Sequence, residues 1–382
     1  MDRPDQLALR RDTVLRGLRR ARTVIPRVTE LDPDLGQRLD VRFRQLASEV
    51  EDGLEGAADD GAAAALLETG EQLVAETLAF LGGAAARRYQ LDDGLTTIAL
   101  AWLDALSADA GLSQVGVVIP APTEFTGMQT QVVRLKMPSD GTWALSVAVH
   151  EYGHFVASVL SSRETNGGIP ESVVPVERLL HGRSADKDLP LLYWHGHELF
   201  ADGVATLVTG PAHAEYCVRY RFDPAGANEP TPTHPAPARR LRFQLTVLER
   251  LAAHDASGLL AGDVERLRDD WSKLVAGAGQ AADVPADALL DPLEPDLLKL
   301  LLESRQLKSI RYDEHPIAGK LAESRLERLQ AGTSVAHVLN AAWLERRRIE
   351  SEHRDDSDAR EDEIGELETK TGAVVREVLG LA

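Results

Sequence analysis

The chain has 382 residues, 43% of them hydrophobic, which is enough for a sizeable core and excludes wholesale disorder. Its 42 Lys and Arg stand against 61 Asp and Glu, a formal net charge of −19, so counterion release offers no gain on nucleic acid and neither DNA nor RNA is expected as a partner. The single cysteine, Cys217, excludes an intramolecular disulfide and a zinc site built from cysteines.

Met1 to Arg22 alternates charged and apolar residues, unlike a signal peptide. No run of about 18 apolar residues occurs, so no membrane span is expected and the location expected is cytoplasmic. The arginines of this stretch (Arg10, Arg11, Arg16, Arg19, Arg20, Arg22) read as the solvated face of a helix. Leu7, Val14, Leu15 and Leu18, then Leu39, Phe43, Leu46 and Val50, recur at helical spacing. They predict a helical N-terminal domain over 1–110 without chemistry of its own, with a break at Gly53 to Gly56 and a new helix starting over 59–65.

The pattern changes at Gln114. Val115, Val117, Val118 and Ile119, closed by Pro120, predict a buried strand. Val133, Leu135 and Met137 alternate with Arg134 and Lys136, predicting a half-exposed strand that ends at Pro138. As an edge strand, Gln131 to Met137 could pair with an extended substrate. Ser139, Asp140 and Thr142 offer N-caps for a buried helix from Trp143 to Leu160. Residues 161–189, with Gly167, Gly168, Pro170 and Pro175, predict a long loop suited to gating a cleft. A second helix is expected from Leu191 to Val208, ended by Gly210 and Pro211. Asp223 to Pro237 should be irregular, with helices resuming at Ala238. The core domain is thus expected over 111–256 and a helical C-terminal region over 257–382, in which the doubly charged stretch Glu345 to Glu363 reads as an exposed helix or connector.

One segment carries chemistry. His150-Glu151-Tyr152-Gly153-His154 is H-E-x-x-H, and on a helix residues four apart share a face, so both imidazoles can reach one metal ion. Glu151 is placed to take a proton from water activated by that metal. A third ligand is needed, and Ala157 and Leu160 stand where the extended metzincin pattern has Gly and His. The second helix supplies Trp194-His195-Gly196-His197-Glu198-Leu199-Phe200-Ala201-Asp202. Glu198 and Asp202 lie four apart, so one can bind metal while the other hydrogen-bonds a ligand imidazole. His195 and His197 are rival ligands, or else line the cleft or cap the helix.

H-E-x-x-H followed by E-x-x-A-D resembles the gluzincins, metallopeptidases whose third ligand is a glutamate. Glu198 to Ala205 is similar to the family of the CAAX prenyl protease and the HtpX heat-shock protease. Thr233-His234-Pro235-Ala236 with Arg240-Leu241 resembles that family's downstream segment, and the likeness covers roughly residues 129–245. It implies Zn2+ on His150, His154 and Glu198, with Glu151 as general base and then acid. It also implies Asp202 orienting a ligand histidine, Arg240 bracing the site, and His234 stabilising an oxyanion, a role that can contribute about 3–4 kcal/mol. The fold expected is mainly α with an α+β zincin core, a small edge-strand sheet over the H-E-x-x-H helix and helical flanks that could hold a protein partner. The activity expected is zinc-dependent hydrolysis of protein or peptide substrates. The alternatives are a non-catalytic zinc-stabilised interaction scaffold and a metal hydrolase acting on a non-peptide amide. Gly277 to Ala282 fits a dinucleotide pattern only loosely and reads as a turn, and His315-Pro316 reads as a helix start.

Overall fold

A computed structural model describes residues 3–56, 60–112, 117–121, 125–127, 132–136, 141–160, 176, 179, 189–255, 257–281, 283–313, 333–354 and 356–381. The expected gating loop (but for Val176 and Leu179), the caps Ser139 and Asp140, and His315-Pro316 lie outside them. The described residues are mainly helical. They fall into two compact units, Met1–Leu100 with Val115–Ser139 and Ala101–Gln114 with Asp140–Ala382. This partition groups the strands with the N-terminal helices and the C-terminal helices with the H-E-x-x-H segment, whereas the sequence suggested boundaries near 110 and 256.

In the first unit three long helices form the core: α1 (Arg3–Leu31), α2 (Pro33–Gly56) and α3 (Asp60–Arg88). Val14, Leu18, Ala21, Ile25 and Val28 recur every three or four residues along α1 and bury against Phe43, Ala47 and Val50 of α2 and Leu67, Leu73 and Phe80 of α3. The arginine-rich face is solvated and ion-paired. Arg10 forks onto Glu71 at 2.7 Å through two nitrogens, and Arg22 reaches Glu51 at 2.9 Å. Asp92 caps α4 (Leu95–Ala110), accepting from the Gly94 and Thr96 amides.

Three strands complete this unit: β1 (Val117–Ala121), β2 (Phe125–Gly127) and β3 (Val132–Lys136). β1 runs parallel and β2 antiparallel to β3, in the order β1-β3-β2. The expectation of a free edge in this segment is corrected. Val132, Val133 and Arg134 are paired on both sides, so an extended substrate could add there only by displacing β2. Pro120 sits inside β1, paired with Leu135, rather than closing the strand. A proline is tolerated there because β1 is an outer strand of this sheet. Gly83 admits β1 against α3, since a Cβ at that position would meet the Ile119 side chain at 2.7 Å.

The second unit is built around two helices, α5 (Leu145–Val159) and α6 (Leu189–Thr209). A short 3-10 turn, Gly141–Ala144, leads into α5, and the residue preceding the helix is Ala144, with no side-chain cap. Thr142 therefore does not cap α5; tertiary packing secures this helix start instead. Trp143 lies 4.5 Å from Trp343, and the Arg346 guanidinium stands over both rings. α6 buries Leu192, Leu199, Phe200, Val204 and Leu207. Beyond it Gly210 takes a φ of 62°, which turns the chain into α7 (Pro211–Tyr216), and a π-helical turn follows at Cys217–Arg221. The irregular 222–236 stretch leads to α8 (Pro237–Ala252), α9 (Leu259–Gly277), α10 (Glu294–Glu303), α11 (Val335–Glu352) and α12 (Ser357–Val378). Gly277 ends α9 and Gly279 adopts a φ of 73°, so the glycine-rich segment is a turn. Late residues close the C-terminal end of α6: the Tyr312 amide donates to the Leu207 carbonyl at 2.8 Å and Asn340 to that of Thr209 at 2.7 Å. Among the described residues no helix is long and apolar enough to cross a membrane.

Candidate metal centre

The fourth residue of H-E-Y-G-H decides how near α6 can come. A Cβ on Gly153 would lie 2.7 Å from Ala201 Cα and 3.0 Å from its carbonyl oxygen. Two small residues, Gly153 and Ala201, thus let the backbones of α5 and α6 touch. That contact places Glu198, one turn before Ala201, beside both imidazoles. Glu198 Oε1 is 3.3 Å from His154 Nε2, and Oε2 is 3.5 Å from His150 Nε2. The two imidazole rings stand edge to face at 5.0 Å.

Two groups bring three donor atoms within 4.8 Å of one another and could hold a metal ion: His150 with His154 and Glu198, and His150 with Asp202 and His213. Electrostatics separates them. Arg240 already grips Asp202, Nε to Oδ2 at 2.6 Å and Nη2 to Oδ1 at 2.8 Å, and its guanidinium rests 5.4 Å from the Phe222 ring. A cation on Asp202 would face that positive charge at a cost of about 4 kcal/mol per unit charge at 4 Å. In the first group Glu198 Oε1 faces His154, while Arg240 Nη2 lies 3.2 Å from Oε2. Among the described residues its buried His150 Nε2 has no well-aligned hydrogen-bond partner, and a cation held between it, His154 and Glu198 would satisfy it. Two imidazoles and one carboxylate are also a donor set suited to zinc.

The surrounding charges fix the ionisation. Burial opposes charge on Glu198, but Arg240, His150 and His154 outweigh it and hold the carboxyl well below its ordinary value. Asp202 is likewise held down against its burial, chiefly by Arg240. Burial and Arg221 push His150 down, but the Asp202 and Glu198 carboxylates carry it up to about 9. His150 Nδ1 lies 3.0 Å from Asp202 Oδ1. Glu151 follows His150 on α5 and is buried, 3% exposed.

The other residues singled out in the sequence have definite places. His234 Nε2 is 3.5 Å from Glu198 Oε1, and its side chain is 43% exposed, against 15% or less for His150, His154 and Glu198. The Thr233 hydroxyl lies 2.8 Å from His234 Nδ1, and Thr231 Oγ1 accepts from the His234 amide at 2.9 Å. A hydroxyl donating to Nδ1 puts the imidazole proton on Nε2, facing Glu198. His195 is not in the cluster. Its Nε2 meets the Thr231 carbonyl at 2.9 Å and so ties the His234 turn to α6. His197 is buried against Tyr193, ring centroids 4.4 Å apart, and among the described residues neither of its nitrogens has a hydrogen-bond partner. Burial, with help from His154, brings it down to about 4, so it is neutral near pH 7.

Sequence reasoning missed His213 on α7. It is fully buried, with Nε2 3.4 Å from Asp202 Oδ1 and its ring stacked on His150 at 5.8 Å and 17°. No spacing signals it, because a glycine turn separates it from α6. Arg221, whose charge acts on both His150 and His234, was equally unmarked. No protein-family model, curated protein or solved structure matches this chain.

Proposed function

We propose that this protein is a zinc-dependent peptidase of gluzincin type, with His150, His154 and Glu198 as metal ligands. The observation that carries the reading is the meeting of Glu198 with both imidazoles across the Gly153–Ala201 contact. A zinc ion bound there would supply Lewis acidity and bring the pKa of water to about 7. Glu151 takes the proton of the attacking water and passes it to the leaving amine. His234, the most open imidazole of the set, donates through Nε2–H to the carbonyl oxygen as negative charge develops on it. Arg240 and Asp202 hold the ligands in place and take no part in bond breaking.

Substrate recognition then falls to surfaces other than β3. Leu191, Trp194 and Glu198 lie three and four residues apart on one face of α6, and Leu191 and Trp194 are 41% and 43% exposed. They form an apolar ledge leading to Glu198, suited to a side chain of an unfolded segment or peptide.

The test is Glu151→Gln, assayed on quenched fluorescent peptides with zinc content measured in parallel. Zinc stoichiometry should stay at the parent value while kcat falls by about 10²–10⁴-fold. Hydrolysis by the variant at the parent rate would sink the peptidase reading. Zinc retained with no hydrolysis by either protein would favour the scaffold.

A further inference from the structure

We infer that His213 is a positioning residue of the metal centre, acting on His150 through Asp202. This rests on the zinc reading above and extends it to a residue outside the H-E-x-x-H and E-x-x-A-D segments. Asp202 Oδ1 has three neighbours: Arg240 Nη2 at 2.8 Å, His150 Nδ1 at 3.0 Å and His213 Nε2 at 3.4 Å. All four side chains are buried. Among the described residues His213 Nδ1 has no hydrogen-bond partner, so the proton of the neutral ring belongs on Nε2, where Asp202 accepts it. Cys217 Sγ, 3.6 Å from the same nitrogen, is the weaker acceptor. His213 also lies nearly parallel to His150, so it limits the ring plane of the ligand as well as the lateral freedom of its carboxylate partner.

These two contacts do different work, and substitution separates them. His213→Ala removes donor and ring, His213→Phe keeps a ring without a donor, and His213→Gln keeps a donor without the ring. Groups that orient ligands commonly change metal affinity by about 10–100-fold. Zinc affinity, measured by competition with a chromophoric chelator, should fall by at least about tenfold in His213→Ala and recover to within about threefold in His213→Gln. Cobalt-loaded His213→Ala and His213→Phe should show shifted visible bands, a change in ligand field that loss of packing alone would not produce.

Parent-like zinc affinity in His213→Ala would overturn the inference while leaving the peptidase reading intact. Equal losses in all three variants, with unshifted cobalt bands, would reduce His213 to a packing residue and likewise overturn it. Failure of the parent protein to take up zinc would overturn both readings together. If His213→Ala does not fold, the comparison of His213→Gln with His213→Phe decides alone: better affinity in the Gln variant supports the donor role, and equal affinity refutes it.

Discussion

Asp202 carries a negative charge at 0% exposure, and the guanidinium of Arg240 is its main counterpart. Removing one partner of a buried pair typically costs about 3–5 kcal/mol, because the other charge is left without water or counterion. Arg240→Met should lose about that much in urea unfolding followed by circular dichroism. Arg240→Lys should fall between it and the parent, since an ammonium keeps the charge and loses the fork. A Met variant as stable as the parent would mean that Asp202 is solvated or protonated. Glu198, Asp202 and Arg240 were readable in advance because helical spacing puts residues four apart on one face and because the motif resemblance extends to residue 240. His213 was not readable. Its place beside Asp202 depends on the turn at Gly210, φ 62°: Gly210 and Pro211 marked the end of the helix but not the direction in which the chain leaves it.

Among elements, the approach of α5 to α6 has a stricter requirement than burial of apolar area. Gly153→Ala would set a methyl carbon 2.7 Å from Ala201 Cα, and a backbone atom cannot rotate away. The helices must separate, at a cost of about 1–3 kcal/mol for overpacking. Glu198 would withdraw from the imidazoles, so zinc affinity in the same competition measurement should drop along with stability. Adding Ala201→Gly should restore little, because the Ala201 Cα and carbonyl oxygen remain in the way. Parent-like affinity in Gly153→Ala would show that the spacing has slack. The long helices were legible from their apolar periodicity, as Val14, Leu18, Ile25 and Val28 illustrate. The sheet was legible only in part: alternation marked β3, but β2 is too short (Phe125–Gly127) to leave a periodic signature, so the middle strand read as an edge. The start of α5 failed for a related reason, its anchor being Trp143 against Trp343, 200 residues away.

Across the second unit as a whole, Glu215 of α7 gathers arginines from three other segments. Arg219 of the π turn lies at 2.6 Å, Arg266 of α9 at 2.7 Å and Arg347 of α11 at 2.8 Å, with Glu215 2% exposed. Burial raises the Glu215 carboxyl, but Arg347, Arg266 and Arg219 outweigh it and hold the group below its ordinary value. A carboxyl depressed in the folded state stabilises fully above its unfolded value, about 4.3, and that stabilisation fades as pH falls through the lower folded value. Glu215→Gln should therefore lower Tm at pH 7, and the gap from the parent should narrow as pH drops below about 4. A gap constant from pH 7 to pH 3 would show that the ion pairs contribute nothing. The same cluster ties the late helix α11 and the π turn to α7, which carries His213, so the late part of the chain bears on the geometry of the centre.

The bond from His195 to the Thr231 carbonyl has a mechanical consequence. His195 and Glu198 stand on the same helix, less than one turn apart, and the tethered segment presents His234, the most open imidazole of the cluster. Sliding or tilting that helix would carry the Glu198 carboxylate and the His234 imidazole in the same direction. The distance between the two groups is thereby conserved through such a motion, while their distance to the imidazoles of α5 is what changes.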